Sequence, residues 1–217
     1  TYAGGIGYSE ERNPGDKHPS NWVEFWDVKK FPGRRGLRTR PGETLEIALM
    51  GDGVPADKVY PVDVDRAFKA LDRLKPFVSH WIAETPKTVT LIQGNECDFT
   101  YTYNGRVYFA VREGAKLGFS FKQNYIAPNW ISVVSKARNK EAAFKFMNSL
   151  LNPERQANFA KLMTYSPVVK GADKFLTADV KKLLTDPTDP NNCFENLDWW
   201  GDKNEELTKR FKECQIV

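Results

Sequence analysis

Cysteine and histidine are scarce in this sequence, which has three cysteines and two histidines among 217 residues. The cysteines, Cys97, Cys193 and Cys214, form no CxxC pair, and this argues against a zinc site built from cysteine and histidine. Cys193 and Cys214 could form a disulfide in an exported protein, but spacing alone does not bring two thiols together. We therefore expect no metal and no cofactor, and the pairing of the cysteines stays open.

Long apolar runs are also missing. No stretch approaches the roughly 18 residues that a membrane-spanning helix needs, and no signal peptide is visible. The sequence opens TYAGGIGYS, without an initiator methionine, so we expect it to be the interior of a longer protein. The lack of a leader then carries no information about the compartment.

Common catalytic motifs do not occur either. The chain has no GxSxG, no P-loop, no HExxH and no GxGxxG after a predicted strand. His18 lies beside a proline in a polar loop, and His80 lies next to Trp81 in a predicted strand, as core histidines often do. The sequence therefore predicts no catalytic residue and no enzyme. The enzymatic alternative would use Glu84 or His80 as the acid or base, but no nucleophile and orienting residue accompany them.

The net charge is small, at +4 from 32 basic and 28 acidic residues. It argues against a dedicated nucleic-acid-binding domain, in which basic residues are more numerous and clustered. One cluster, which we name the basic run, consists of Lys29, Lys30, Arg34, Arg35, Arg38 and Arg40. We interpret the basic run mainly as solvated charge around a helix end and one face of a strand. Contact with an anionic ligand or an acidic partner is the alternative, and nucleic acid is the least favoured partner.

Helical and strand-like patterns alternate through most of the chain. An amphipathic helix is predicted over residues 63–75 and an alternating strand over DFTYTY, residues 98–103. The apolar, β-branched residues from Trp130 to Val134 predict a buried strand, and the chain beyond residue 135 is almost all helix. This order predicts an α/β fold with a mostly parallel sheet flanked by helices and a helical C-terminal segment.

Aromatic and amide side chains cluster where predicted strands and helices end. In open α/β sheets, ligands lie beyond the carboxyl ends of the strands, near helix N-termini. Tyrosine and tryptophan combined with polar groups are typical of pockets for small organic solutes. The predicted ligand-binding residues are Trp81, Glu84, Thr85, Tyr103, Asn104, Tyr125, Trp130 and Tyr165.

Several segments resemble one protein family in a consistent order. The stretch NWVEFWDVKKFPGRRGLRTRP, residues 21–41, is similar to the second lobe of periplasmic solute-binding proteins of ABC transporters, in the spermidine/putrescine-binding group. The later segments that resemble the same group are PVDVDRAFKALDRLKP (61–76), DFTYTYNGR (98–106), ARNKEAAFKFMNSLLNPERQANFA (137–160) and TYSPV (164–168). The resemblance therefore covers nearly the whole chain.

The resemblance implies a two-lobed, periplasmic-binding-protein-like fold of which most of the first lobe is missing. Residues 1–9 would be a hinge strand from that lobe, residues 10–123 the second α/β lobe, and residues 124–217 a hinge strand and a mainly helical return segment of the first lobe. Such lobes close around a solute. The implied protein is the solute-capturing subunit of an ABC importer with a membrane permease as partner. It would be periplasmic or extracellular, and lipid-anchored in a Gram-positive source.

Two departures from the family pattern bear on the solute. The group usually carries Trp-Asn-Gly where this chain has Tyr103-Asn104-Gly105, so an aromatic wall is kept. The stretch IAPNWISVV, residues 126–134, lacks the acidic residue that often pairs with an ammonium group. A polyamine would then need Glu84 or the missing lobe to neutralise it, because a buried cation without a carboxylate is unfavourable. Some family members bind other solutes.

An isolated interaction domain is the alternative to a solute-binding subunit. A protein of this kind that lacked one lobe would expose the apolar surface on which that lobe packs. If the chain truly begins near Thr1, we expect homo-oligomerisation or an exchange of C-terminal helices.

Overall fold

A computed structural model describes residues 1–216 of the chain. Its strands are β1 (Tyr2–Ser9), β2 (Arg35–Arg38), β3 (Val78–Ile82), β4 (Phe99–Tyr103), β5 (Leu117–Phe119), β6 (Tyr125–Ala127) and β7 (Cys193–Phe194). Its α-helices are α1 (Trp22–Trp26), α2 (Pro41–Gly51), α3 (Val64–Leu74), α4 (Lys87–Gln93), α5 (Asn104–Arg112), α6 (Lys140–Leu150), α7 (Pro153–Met163), α8 (Ala178–Lys181) and α9 (Leu197–Ile216). None of these helices combines the length and apolar character of a membrane-spanning segment.

The strands form one mixed sheet in the order β3-β2-β4-β1-β6-β7, with β5 also paired to β1. Strands β2, β3 and β4 are parallel, as are β6 and β7, whereas β1 runs antiparallel to β4, β5 and β6. The predicted α/β class is confirmed. The sheet is less parallel than expected, because an alternation of strands and helices does not specify the direction of a strand whose neighbours are distant in sequence.

Helices cover both faces of the sheet, and β4 shows how the sequence encodes this. Phe99, Tyr101 and Tyr103 belong to the main hydrophobic core together with α1, α2 and α3. The alternating residues Thr100 and Thr102 point to α4. The Thr100 hydroxyl donates to the carbonyl of Thr88 at 2.6 Å, and the Thr102 and Thr88 hydroxyls are 2.7 Å apart. The alternation predicted for DFTYTY is thus a division between an aromatic face and a threonine face.

Helix α2 lies at the centre of the larger core. It packs against α1, α3 and α9, and the side chains from Leu45 to Met50 are buried without exception. Helix α3 confirms the amphipathic helix that the sequence predicts: Asp63 caps it by accepting from the Arg66 backbone amide at 3.1 Å. The C-terminal helix α9 packs on α2 and also reaches α3, through the ring contact of Phe211 with Phe68.

The strand predicted from Trp130 to Val134 is wrong. This stretch has no regular structure, and the Trp130 side chain is 74% exposed. The strand lies just upstream instead, as β6, which ends before Pro128. Apolar, β-branched residues favour a strand only where a neighbouring strand and a covering layer are present, and residues 130–134 have neither.

The cysteines do not pair in the structure. Cys97 and Cys193 are buried thiols and Cys214 is partly buried on α9. The disulfide left open between Cys193 and Cys214 is therefore not formed.

Gly4 in β1 allows the aromatic side of β4 to pack closely. A Cβ atom at Gly4 would overlap the Tyr101 hydroxyl, whereas a Cβ at Gly201 in α9 would meet no atom within 4 Å. We expect Gly4→Ala to lower the free energy of unfolding by about 1–3 kcal/mol through overpacking. Gly201→Ala should raise it by about 0.5–1 kcal/mol, because alanine favours a helix. Urea denaturation measures both, and equal stabilities of the two variants would contradict the packing described.

Candidate functional site

The carboxyl ends of three parallel strands meet at one edge of the sheet. Arg38 ends β2 opposite Ile82 of β3, Thr85 follows β3 by three residues, and Tyr103 ends β4. The antiparallel strand β1 brings Tyr2 to the same edge, where its ring lies edge-on to that of Tyr103 at 5.4 Å. This edge is where α/β folds of this kind bind ligands.

Two neighbouring clefts open at this edge. The Tyr103 cleft has a volume of about 280 Å³ and is lined by Tyr2, Arg40, Thr85, Tyr103, Arg106, Asn129 and Tyr165. The Trp200 cleft has a volume of about 460 Å³ and is lined by Tyr2, Arg40, Pro41, Gly42, Glu43, Glu195, Leu197, Trp200, Gly201, Asn204 and Thr208. The two clefts share Tyr2 and Arg40, so they are adjacent parts of one surface depression.

Arg40, Glu43 and Tyr103 form the polar network between the clefts. Arg40 Nη2 donates to Glu43 Oε1 at 2.5 Å and to the Tyr103 hydroxyl at 2.8 Å. The Tyr103 hydroxyl donates to Glu43 Oε2 at 2.9 Å. Burial and the Glu43 carboxylate raise the pKa of Tyr103, so the phenol stays protonated and remains a donor. Glu43 adopts a left-handed backbone conformation with φ of 73°, a strain typical of functional sites.

Strand β2 buries two arginines whose surroundings differ. Arg35 is fully buried, and its guanidinium donates to the carbonyls of Gly33 at 2.6 Å, Phe31 at 2.5 Å and Phe25 at 3.3 Å. Burial lowers its pKa to about 10, so it remains charged at neutral pH. Its charge is dispersed over backbone dipoles, and its role is to hold the end of α1 against the sheet.

Arg38 is only 4% exposed and lacks such partners. Its Nη2 atom lies 3.4 Å from the Thr85 hydroxyl, and its guanidinium lies 6.0 Å from the centre of the Tyr103 ring. Among the described residues, its Nε and Nη1 atoms have no hydrogen-bond acceptor. No carboxylate of the described chain forms an ion pair with it. Arg38 is thus a buried cation beside two walls of the Tyr103 cleft.

The prediction that the basic run is solvated charge is wrong for Arg35 and Arg38. Both lie in the short strand β2, whose four residues are all buried. The prediction treated one face of the strand as exposed, but side chains on both of its faces are buried. For Lys30 the solvated interpretation agrees with the structure, since this lysine is exposed and pairs with Glu24 at 2.8 Å.

Three of the predicted ligand-binding residues line the Tyr103 cleft: Thr85, Tyr103 and Tyr165. Tyr165 reaches it from the end of α7, with its ring 6.4 Å from that of Tyr2. A fourth residue, Asn104, lies directly beneath, but its side chain is occupied within the fold. Its Nδ2 donates to the carbonyl of Thr164 at 2.6 Å, and its Oδ1 accepts from the Ala3 amide at 3.4 Å.

The structure does not bring the other predicted residues to the clefts. Trp81 packs edge-on against Phe211 of α9 at 5.8 Å. Glu84 is exposed and lies 3.6 Å from the Lys87 ammonium. Tyr125 is fully buried in the core, and Trp130 projects into solvent.

Five residues of this edge are not among the predicted ligand-binding residues: Tyr2, Arg38, Arg40, Arg106 and Asn129. Arg38 and Arg40 were considered only under the alternative that the basic run contacts an anionic ligand. The signal for two of them was present. Arg38 and Arg40 close a predicted strand that is parallel to its neighbours, and strand ends of this kind carry ligand contacts. The sequence did not single out Tyr2, because Tyr2 begins a strand instead of ending one. It reaches the site because β1 runs antiparallel to β4, which places the start of β1 beside the end of β4.

Carboxylates are found in the Trp200 cleft. Glu43 is buried and fully engaged by Arg40 and Tyr103, whereas Glu195 forms no ion pair among the described residues. Burial raises the pKa of Glu195. Because Arg40 and Glu43 neutralise each other, the remaining charges are Arg106 at the Tyr103 cleft, with Arg38 behind it, and Glu195 at the Trp200 cleft. No group of three or more metal-ligating side chains is found among the described residues.

Comparison with known families gives this site its context. Residues 6–187 match the sequence profile described as bacterial extracellular solute-binding protein. The chain belongs to this family. The predicted resemblance to solute-binding proteins of ABC transporters is thereby confirmed.

Two relatives illustrate two levels of sequence identity to this chain. The γ-aminobutyric acid-binding protein of Pseudomonas aeruginosa is 37% identical over 202 residues, which are 89% of this chain and 56% of the relative. The spermidine/putrescine-binding periplasmic protein of Escherichia coli is 23% identical over 188 residues, 86% of this chain and 53% of the relative. The chain therefore spans about half the length of these relatives.

Solved structures confirm the fold over nearly the whole chain. An ABC transporter substrate-binding protein from Bradyrhizobium japonicum superimposes with a TM-score of 0.87 at 36% identity, covering 98% of this chain and 67% of that one. The GABA receptor Atu4243 superimposes with a TM-score of 0.85 at 31% identity, covering 99% and 66%. The binding-protein-like α/β fold is thus established.

Replacement of the two buried arginines by methionine should have different effects on the free energy of unfolding. Arg35→Met should lower the free energy of unfolding by about 2–4 kcal/mol, because three buried carbonyls lose their donor. Arg38→Met should leave stability unchanged or raise it in the absence of solute, because it removes a buried charge that has no partner. Urea denaturation of both variants tests this, and a comparable loss in Arg38→Met would show that Arg38 is satisfied within the fold.

Proposed function

We propose that this chain is the larger part of a solute-binding protein whose solute carries a carboxylate that Arg38 binds. The observation that carries the proposal is the Arg38 guanidinium, buried beside the Tyr103 cleft with two nitrogens that lack an acceptor. A charged group held out of water in this way gains most from a ligand of opposite charge. A carboxylate suits a guanidinium best, because two parallel hydrogen bonds can form.

The charges around the Tyr103 cleft argue against a polyamine at this position. Arg106 lines the cleft and Arg38 lies behind it, whereas Arg40 is paired with Glu43 and no acidic side chain lines the cleft. Glu84, on which a polyamine site would have depended, points away toward Lys87. Like charges that face each other in a partly buried site repel, so an ammonium group would be disfavoured there.

A zwitterion fits the two clefts together. Its carboxylate would lie in the Tyr103 cleft beside Thr85, behind which Arg38 lies, and its ammonium group would lie toward Glu195 in the Trp200 cleft. Tyr2 and Arg40, which line both clefts, would contact the chain between the charged ends. The names of the 37%-identical relative and of the solved GABA receptor support this class of solute. We therefore propose an ω-amino carboxylic acid of the size of γ-aminobutyrate.

The division into lobes is part of the same proposal. We keep residues 1–9 as a strand that crosses from a first lobe and residues 10–123 as the second lobe. Because α9 packs on α2 and α3, we now assign residues 197–216 to the second lobe as well. Residues 124–196 would then hold the crossing strands β6 and β7 and the helices that return to the first lobe.

Exposed apolar side chains support a first lobe packed on this returning segment. Helix α6 buries none of its residues, and Phe144 and Phe146 are both more than half exposed. Trp130, Leu151 and Leu162 are exposed in the same segment. An apolar surface of this extent marks a contact with another unit. A homo-oligomer would be the outcome if the present chain were produced alone.

Transport is the biological role that we propose. The protein would deliver its solute to the permease of an ABC importer from a periplasmic or extracellular location, as the names of the relatives suggest. It would act by binding and lobe closure and not as an enzyme. Lipid anchoring would apply only to a Gram-positive source.

Three four-carbon solutes test the proposal on the complete two-lobed protein. γ-Aminobutyrate has one carboxylate and one ammonium group, butyrate has only the carboxylate, and putrescine has two ammonium groups. We expect isothermal titration calorimetry to give the tightest binding for γ-aminobutyrate, weaker binding for butyrate and none for putrescine. Binding of putrescine without γ-aminobutyrate would contradict the proposal.

Arg38→Met provides the matching test of the carboxylate site. A charge-assisted hydrogen bond to a carboxylate contributes about 1.5–3 kcal/mol, so the dissociation constant for γ-aminobutyrate should rise about 10- to 150-fold. Arg34→Met is the control, because Arg34 is exposed and pairs with Asp98 at 3.0 Å outside the clefts. Equal affinities of Arg38→Met and the unmodified protein would exclude Arg38 as the carboxylate ligand.

A further inference from the structure

Glu46, in the middle of α2, is a buried carboxyl group outside the two clefts. Its Oε1 atom accepts a hydrogen bond from the Tyr60 hydroxyl at 2.5 Å and one from Trp200 Nε1 at 2.7 Å. Its Oε2 atom has no partner among the described residues. The side chain is 0% exposed, so water does not solvate it from the surface.

The surroundings of Glu46 contain no compensating positive charge. On its own helix the nearest charged group is Glu43, which is also acidic. Tyr60 faces it from the loop before α3, Tyr125 from β6 and Cys193 from β7, and all three are neutral when protonated. No lysine or arginine of the described chain forms an ion pair with it. Burial outweighs the two hydrogen bonds and raises the pKa of Glu46 to about 7.

Trp200 connects this carboxyl group to the solute site. It lies in the first turn of α9, is itself buried, and forms one wall of the Trp200 cleft opposite Tyr2 and Arg40. Its indole also donates to the Tyr60 hydroxyl at 3.2 Å, and the hydrogen bond to Glu46 is its polar contact with α2. Farther along α9, Leu207 and Phe211 are buried, and Arg210 pairs with Asp65 of α3 at 2.8 Å.

We propose that Glu46 is a positioning residue that holds Trp200, and with it the start of α9, in place in its neutral, protonated form. In this form Oε1 accepts both hydrogen bonds as a carbonyl oxygen, and the proton resides on Oε2, the atom without a partner. Ionisation places an uncompensated charge near Glu43 between α2 and α9. The charged carboxylate accepts the two hydrogen bonds more strongly, but the cost of keeping it out of water is greater, so an opening of the α2–α9 contact that admits water becomes easier and the wall of the Trp200 cleft becomes mobile.

The direction of the pH effect follows from proton binding. An acid whose pKa is higher in the folded than in the unfolded protein makes the folded state bind more protons between the two values. Its contribution to stability is complete below the pKa of an ordinary glutamate and is lost as the pH rises to about 7. The start of α9 should therefore be held most firmly at mildly acidic pH. Any consequence for the solute rests on the function proposed above.

Hydrogen exchange of the complete protein at several pH values, corrected for the intrinsic exchange rate, tests the proposal without a solute. We expect the protection of amides in the first half of α9 to fall between about pH 5 and about pH 8. Glu46→Gln keeps the oxygen acceptor and cannot ionise, so its protection should stay high across this range. Glu46→Leu removes the acceptor, and its α9 amides should be less protected at every pH.

Infrared spectroscopy gives a second measurement on the unmodified fold. In the difference spectrum between the unmodified protein and Glu46→Gln, the C=O stretch of a protonated carboxylic acid should be present at about pH 6, where ordinary glutamates are ionised, and should decline toward about pH 8. The proposal is overturned if α9 protection does not change with pH or if Glu46→Gln follows the same profile as the unmodified protein. It is overturned equally if the acid band is missing.

Titration with γ-aminobutyrate at the same pH values separates this proposal from the proposed function. If both hold, the affinity of the unmodified protein decreases toward about pH 8 more than that of Glu46→Gln. A pH-dependent α9 together with no binding of γ-aminobutyrate would reject the solute and keep the role of Glu46. Binding with identical pH profiles in both proteins would keep the solute and reject the role of Glu46.

Discussion

Helix α2 and strand β2 remove four ionisable side chains from water, and the four differ in how far the fold compensates them. Arg35 is satisfied by three backbone carbonyls, and Glu43 by Arg40 and Tyr103. Glu46 has hydrogen bonds but no cation, and Arg38 has neither a carboxylate nor a full set of acceptors. Because an isolated charge in a protein interior is unfavourable, the first two stabilise the fold and the last two depend on something else. A solute and a proton are the partners that the geometry suits.

The regular elements were largely readable from the sequence. The cap at Asp63 and the helical period after it predicted α3, and the two-residue alternation of DFTYTY predicted β4 and its two faces. These signals are local, since they depend on residues a few positions apart. The strand predicted for residues 130–134 was wrong for the same reason. These residues have a high strand propensity, but a strand also needs a neighbouring strand, which the local sequence does not encode.

The site was harder to predict because its residues come together through the topology. Thr85 and Tyr103 were identified because they follow predicted strands, and Tyr165 because it ends a predicted helix. Arg38 was interpreted as solvated, since nothing local distinguishes it from Arg34, which is exposed. The difference arises from β3 and β4, which flank β2 on either side. Burial of a charged residue is a property of its neighbours in space, and this explains why the sequence favoured a solvated Arg38 while the family resemblance was recognised.

The sequence of β1 has a mechanical consequence. Three of its eight residues are glycines, at positions 4, 5 and 7, and side chains of neighbouring residues occupy the space that Cβ atoms would fill. A backbone without side chains meets few steric barriers when its dihedral angles change. At the same time, the aromatic and amide groups lying across it resist sliding. Strand β1 therefore combines a compliant backbone with a fixed register, so that it can bend without slipping against β4.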